Sequence, residues 1–208
     1  MRRFAKAASG FVELVELVPA ERLDGPGLGA WTLRELIGHT ARALSTVVDY
    51  LRLPAPAEAT IASAEEYLGV VLRQQGDDAA IEARGRAMAA ELGDDLLTRI
   101  CRLADEASTA VEASDPHRLV AVGSGGGNAM RLDEYLRTRC FELTVHGVDI
   151  ADAAGLDWTP EPALVLDALQ LAAGSAAARD RGLEALRLLT GRRPEAGLAG
   201  ILAAGEPE

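Results

Sequence analysis

Residues 31–44, WTLRELIGHTARAL, carry the clearest helix signal in the chain. Thr32 and Glu35 stand in the T-x-x-E spacing of a capping box, in which each side chain accepts a hydrogen bond from the other residue's backbone N–H. Apolar residues then recur every three or four positions, which places them on one face of a helix. The stretch therefore predicts a helix that begins at Thr32 and continues to about Leu53, where Pro54 prevents a further turn.

The remainder of the chain shows the same preference for helices. Ala, Leu, Glu and Arg are abundant, and the Val/Ile/Thr alternation typical of strands is scarce. Apolar spacing predicts further helices at residues 4–18, 63–75, 78–92, 94–114 and 131–154, separated or ended by Pro19, Gly76, Gly93 and Gly155. Two short helices are expected after Pro160, a short strand or extended piece at 119–122, and a loop at 20–30.

These elements predict an all-α fold. Four long helices with one apolar stripe each indicate an up-and-down four-helix bundle, to which the short C-terminal helices are added. We divide the chain into a helical bundle at residues 1–155 and a helical extension at 156–208 that packs on it, so that the whole forms a single domain. Functional sites in such bundles are built in the core from side chains on facing helices.

The charge balance and the N-terminus limit the partners that we expect. The chain has 21 Lys and Arg against 32 Asp and Glu, a formal net charge of −11. Phosphate backbones and anionic lipids carry the same sign, so we expect no binding to nucleic acid or membrane. Glu13 interrupts the apolar run that an export signal would need. We expect a cytoplasmic monomer or homodimer in which Cys101 and Cys140 are reduced.

The histidines are the main candidates for chemistry, because the chain has only three. His39 lies on or beside the apolar stripe of the helix from Thr32, and Glu142 precedes His146 by four residues. On a helix that spacing places both side chains on one face, where they can bind one metal ion. A cation would also balance a carboxylate placed among apolar neighbours. A structural histidine and a chance Glu–His pair remain open as alternatives.

Other conspicuous residues have simpler interpretations. His117 follows Asp-Pro in a predicted loop and is expected to be solvated. The run GSGGGN at 123–128 lacks the Lys-Ser/Thr of a phosphate-binding loop and predicts a flexible connection. Cys140 is expected to be a small buried residue, and Trp31 and Trp158 are interpreted as packing anchors at helix ends.

Two motifs carry a resemblance to a known family. WTLRELIGHTARAL resembles the W-[ST]-x-x-[DE]-L-x-x-H segment of the mycothiol-dependent maleylpyruvate isomerase metal-binding family, which belongs to the DinB-like four-helix bundles. Residues 131–155, RLDEYLRTRCFELTVHGVDIADAAG, resemble its second motif, R-x-x-E-x-x-x-H-x-x-D-[LIV]. Residues 181–194, RGLEALRLLTGRRP, are similar to an LLxxLTGR ending found in the family. The resemblance extends from about residue 5 to residue 194.

The resemblance implies a metal site and a chemistry. It implies Zn²⁺ or another divalent ion bound by His39, Glu142 and His146, with mycothiol or a similar low-molecular-weight thiol as co-substrate. Three protein ligands leave one position open, as in catalytic zinc sites, and a thiol bound there is held as a thiolate. If the imidazoles have their ordinary pKa, they become protonated below about pH 6, and metal binding should weaken there.

Two further residues on the same predicted helix are assigned alternative roles. Asp149 could accept a hydrogen bond from a ligating imidazole and fix its tautomer, or act only at the helix surface. Arg139 matches the family's arginine and could orient Glu142, bind a substrate carboxylate, or form a structural ion pair.

The function implied by the resemblance is therefore a thiol-dependent isomerase or S-transferase in which the thiolate attacks a small electrophile. The isomerase of this family carries a further C-terminal domain, for which 208 residues leave little room, so maleylpyruvate isomerisation itself is the less expected reaction. The alternatives are a non-catalytic metal- or ligand-binding bundle and a metal-free helical interaction module.

Overall fold

A computed structural model describes residues 1–74, 78–123 and 127–192 of the chain. Within these residues it contains eight α-helices and one small sheet. The helices are α1 (Arg2–Leu17), α2 (Leu33–Arg52), α3 (Ala64–Gln74), α4 (Asp78–Leu92), α5 (Leu96–Glu112), α6 (Leu132–Ala154), α7 (Pro162–Ala178) and α8 (Gly182–Leu189). The strands β1 (Leu119–Val122) and β2 (Asn128–Arg131) lie between α5 and α6. The predicted all-α fold is confirmed.

Four of the helices form the bundle. Helices α1 and α2 each pack against both α5 and α6, so that the four enclose one apolar core. Large side chains from all four helices are fully buried there, among them Phe4, Phe11, Leu36, Leu44, Ile100 and Ile150. Burying the apolar stripe of each helix against its neighbours is the main source of stability in such a fold.

Local signals in the sequence define the start of helix α2 and the end of helix α6. Thr32 Oγ1 accepts from Glu35 N–H at 3.2 Å and Glu35 Oε2 accepts from Thr32 N–H at 2.9 Å, so the predicted capping box is present. Helix α6 ends at Gly155, whose φ of +70° lies in the left-handed region that favours glycine. Both of these predictions are confirmed.

The remaining elements surround the bundle. Helix α4 packs on α2, α7 packs on α3 and α6, and α8 packs on α7. A Cβ added to Gly38 would lie only 2.7 Å from the backbone nitrogen of Ala89, so a glycine lets α2 and α4 approach closely. None of the helices in the described part of the chain is long and apolar enough to cross a membrane.

Several sequence predictions need correction. The expected strand at 119–122 exists, but its antiparallel partner β2 was not predicted, because four residues are too few to show an alternating pattern. Pro160 does not open the first C-terminal helix; Pro162 does, at the first helical position, and that helix is 17 residues long and not short. The predicted break at Gly76, residues 124–126 of the glycine run, and residues 193–208 lie outside the described residues.

Candidate metal centre

The packing of α2 against α6 brings His39, Glu142 and His146 together. Each of the three offers one ligand atom, and these atoms all lie within 4.8 Å of one another. The two imidazole rings are 4.9 Å apart between centroids and nearly perpendicular, at 83°. Among the described residues, this is the one group of three or more His, Cys, Asp or Glu side chains close enough to hold a metal ion. The sequence motifs, separated by about a hundred residues, thus meet in space.

On α6 the three acidic and imidazole groups form a chain of contacts. Glu142 Oε2 lies 3.3 Å from His146 Nε2, and Asp149 Oδ2 lies 2.9 Å from His146 Nδ1. Spacings of four and three residues on one helix place all three side chains on the same face. Of the two roles considered for Asp149, the structure shows the contact with the imidazole, which fixes the orientation of the His146 ring.

His39 is held by an aromatic neighbour, and its ring has no hydrogen-bond partner in the part of the chain that the structure describes. Trp31 stacks on the imidazole with 4.5 Å between ring centroids and an interplanar angle of 30°. The indole Nε1–H of Trp31 donates to the carbonyl oxygen of Glu82 at 3.4 Å. Nδ1 of His39 is buried and has no hydrogen-bond partner among the described residues. Trp31 packs against the core at the start of α2, as predicted, and its stacking on His39 also makes it part of the site, which the sequence did not indicate.

Burial and charge give the three groups different protonation states. Burial, with His146 nearby, lowers the pKa of His39 to about 4, so this imidazole is neutral at pH 7. Although burial alone would raise the pKa of Glu142, contact with His146 and the charge of Arg139 lower it to about 2. Burial likewise opposes the charged form of His146, but its contacts with Asp149 and Glu142 raise its pKa to about 9.

The donor set fits a divalent ion. Two imidazoles and one carboxylate are ligands that zinc accepts, and three protein ligands leave a position open. The buried, unpartnered nitrogen on His39 and the neutral state of its ring suit a group that donates an electron pair to a cation. Glu142 Oε2 lies 3.3 Å from Nε2 of His146, so an ion bound between these two ligands would take the place of a proton on that nitrogen.

A cavity of about 950 Å³ opens beside the three side chains. Its walls come from α2, α3, α4, α6, α7 and α8, and they combine apolar and aromatic side chains with several arginines. That volume is in the range of pockets that hold small-molecule ligands. Sequence analysis did not identify the cavity-lining residues Tyr50, Tyr67, Tyr135, Arg42, Arg84, Arg179 and Arg181, because they come from elements that only the fold brings together.

Arg139 also lines the cavity, but it forms no salt bridge to a carboxylate in the described part of the chain. Its Cζ lies 4.9 Å from the ring centroid of Tyr135 and 5.8 Å from that of Tyr67, and its Nε–H donates to Thr138 Oγ1 at 3.1 Å. The hypothesis of a structural ion pair for Arg139 therefore finds no partner among those residues.

The remaining predictions about single residues mostly agree with the structure. His117 is exposed and is not part of the cluster; it lies beside Asp133 and Arg131. Cys140 is buried, which raises the pKa of its thiol to about 12, and it is not bonded to Cys101. The expected apolar enclosure of Glu142 is only partial, because Val145 is 37% exposed and the Glu142 side chain itself 26%.

Comparison of the sequence with protein families gives a match to the mycothiol maleylpyruvate isomerase N-terminal domain over residues 4–151. The chain belongs to this family. The matched range runs from α1 into the last turn of α6 and contains all five candidate residues, His39, Arg139, Glu142, His146 and Asp149. Neither the comparison with curated proteins nor the comparison with solved structures found a match.

Proposed function

We propose that this member of the mycothiol maleylpyruvate isomerase N-terminal domain family is a divalent-metal-dependent enzyme, with zinc as the preferred ion, that catalyses thiol-dependent isomerisation or S-transfer on a small electrophile. The observation that carries the proposal is the convergence of His39, Glu142 and His146 within 4.8 Å at the wall of a 950 Å³ cavity. Family membership supports the same conclusion independently of the geometry. A storage or purely structural ion would not need so large a cavity beside it.

The side chains of the site each have a part in this function. When bound, zinc supplies a Lewis acid that lowers the pKa of a thiol occupying its open position. Asp149 accepts the Nδ1–H of His146 and leaves Nε2 free to act as a ligand. His39 offers a neutral nitrogen without a prior loss of a proton. Tyr67 and Phe141 add aromatic surface to the cavity beside these ligands.

Metal content per chain tests the ligand assignment. We expect about one zinc per chain by mass spectrometry, in protein purified without chelator or affinity nickel. His39→Ala should lose most of this metal while its circular dichroism stays helical. His117→Ala is the matched control, because it removes an exposed histidine outside the cluster, and it should keep the metal. Unchanged metal content in His39→Ala would exclude the proposed ligand set.

Turnover separates the enzyme from a non-catalytic metal-binding bundle. We expect zinc-loaded protein to accelerate the reaction of mycothiol with 1-chloro-2,4-dinitrobenzene, or a cis–trans isomerisation of a conjugated acid, with loss of rate in His39→Ala. One zinc per chain combined with no rate enhancement across a panel of thiols and electrophiles would favour the non-catalytic alternative.

A further inference from the structure

The charge of the cavity is opposite to the charge of the chain. The protein carries a net charge of −11, yet five arginines and only two glutamates line the cavity. One of the arginines, Arg181, is already neutralised by Glu184, with two hydrogen bonds of 2.8 Å between them. One of the glutamates, Glu142, contacts His146. Arg42, Arg84, Arg139 and Arg179 form no salt bridge within the described residues. Glu142 is near enough for the charge of Arg139 to lower its pKa, but it makes no direct contact with that guanidinium. The cavity therefore holds more positive than negative charge.

Arg139 is the arginine whose surroundings are most specific. Its guanidinium is half-buried and lies near the faces of Tyr135 and Tyr67, which favour a cation but provide no counter-charge. Only its Nε–H has a hydrogen-bond acceptor, Thr138 Oγ1, among the residues that the structure describes. The two terminal nitrogens therefore keep their donors for a group in the cavity. A partly desolvated cation with free donors is costly unless a ligand satisfies it.

The Tyr135 ring that supports Arg139 is itself fixed. Its hydroxyl donates to Thr46 Oγ1 at 2.8 Å, and the ring is fully buried. Tyr50 and Tyr67 pack on the same ring with centroid distances of 5.5 and 6.1 Å. The guanidinium plane is thus held by aromatic groups that cannot move freely, and preorganised donors lose less entropy when they bind a ligand.

We propose that Arg139, supported by Tyr67 and Tyr135, binds an oxyanion in the cavity, and that this oxyanion is a carboxylate of one of the two reactants. The assignment of the carboxylate to a reactant rests on the proposed function, whereas the anion site itself rests on the geometry of Arg139. A planar guanidinium fork matches a carboxylate through two parallel hydrogen bonds, which makes this the chemistry that the side chain recognises best. The carboxylate can come from the electrophile or from the thiol.

Binding of an unreactive anion tests the site without any turnover. Succinate and its uncharged analogue succinamide are titrated into metal-free and zinc-loaded protein, followed by the fluorescence of the tryptophans. We expect succinate to bind both forms and Arg139→Gln to weaken succinate binding about tenfold or more, with little change for succinamide. Arg181→Gln is the matched control, because it removes a cavity arginine whose charge is already paired, and it should change succinate binding less than twofold.

A purely structural role for Arg139 gives a different result. In that case Arg139→Gln would weaken both probes equally or neither, and either outcome overturns the proposal. Arg139→Lys keeps the positive charge but not the planar guanidinium, so we expect its succinate affinity to lie between those of the unmodified protein and Arg139→Gln. This variant also provides the test if Arg139→Gln folds poorly. If the protein cannot bind zinc and shows no turnover, yet still binds succinate in an Arg139-dependent way, the anion site stands and only the proposed function is refuted.

Matched reactants identify the source of the carboxylate. The electrophiles 4-chloro-3-nitrobenzoate and 4-chloro-3-nitrobenzamide are compared with one neutral thiol, and 3-mercaptopropionate and 3-mercaptopropionamide with one neutral electrophile. If Arg139→Gln lowers kcat/KM only for the benzoate, the electrophile carries the carboxylate; if only for mercaptopropionate, the thiol carries it. An equal effect on all four reactants would overturn the assignment to a reactant.

Discussion

At the scale of single residues, the candidate centre depends on three unlike environments placed side by side. His39 is stacked under Trp31, and its buried nitrogen lacks a hydrogen-bond partner within the described ranges, whereas His146 lies between two carboxylates. The same side-chain type is therefore neutral in one position and charged in the other at pH 7. This difference in burial and charge leads to two predictions about metal binding.

The contact between Asp149 and His146 should strengthen metal binding. Asp149→Ala removes the acceptor that orients the imidazole, and losses of this kind typically weaken metal affinity by about 10- to 100-fold. Competition with a chromophoric chelator measures the change. Asp152→Ala, on the same helix but exposed, is the control and should leave the affinity unaltered. Equal affinities for Asp149→Ala and the unmodified protein would show that the contact has no part in binding.

The pH dependence of zinc affinity should reflect His146 alone over most of the accessible range. A protonated ligand cannot bind, so affinity falls as the pH falls below the pKa of His146, about 9, while His39 stays neutral down to about 4. The affinity should thus drop about tenfold for each unit between pH 8 and pH 5, a slope of about one. The expectation from unperturbed imidazoles, a loss only below about pH 6, is replaced by this wider window. Chelator competition at several pH values measures this slope. A change in the logarithm of zinc affinity near two per pH unit would contradict the prediction.

At the scale of the elements, the position of His39 depends on how closely α4 approaches α2. Gly38 lies against Ala89 of α4, and Gly85 of α4 lies against the indole of Trp31, to which an added Cβ would come within 3.2 Å. The two glycines thus allow α4 to pack closely against the indole, which in turn stacks on the imidazole of His39. Nothing in the local sequence marks these two glycines as contact positions. Their role can be recognised only from the packing of the two helices.

Gly38→Ala should destabilise the fold. The added Cβ would meet the backbone of Ala89 at 2.7 to 2.9 Å, and overpacking of this kind costs about 1–3 kcal/mol in the free energy of unfolding. Gly10→Ala is the control, because its Cβ would meet only the Trp158 ring at an ordinary 3.8 Å. That change should be neutral or stabilise helix α1 by about 0.5–1 kcal/mol. Urea unfolding measures both variants, and equal midpoints would disprove the close approach of α2 and α4.

At the scale of the whole molecule, the metal should stabilise the fold without being required for it. The core of the bundle is apolar and continuous across α1, α2, α5 and α6, so it forms without an ion, unlike that of a zinc finger. Because the ligands come from both α2 and α6, a metal ion would nevertheless bind the folded chain in preference to the unfolded one. This preference couples metal binding to stability.

Metal removal should therefore lower the melting temperature and leave the helices intact. Zinc at about 100 times its Kd adds about 2.7 kcal/mol to the free energy of unfolding, which corresponds to about 5–10 °C for a chain of this length. Thermal denaturation with zinc and with EDTA measures the shift, and His39→Ala should abolish it. A chain that unfolds in EDTA at room temperature would show that the metal is structural.

Local signals in the sequence predict the helices, the capping box at Thr32, the glycine that ends α6 and the Glu142–His146 pair, because each depends on residues within one element. The resemblance of two motifs added His39 to this pair. Strand β2 and the start of α7 were missed, since four residues or one of two nearby prolines give too weak a local signal. The stacking of Trp31 on His39 and the position of Arg139 beside two tyrosines at the cavity could be seen only in the folded chain, because these contacts depend on how distant elements pack and not on local spacing.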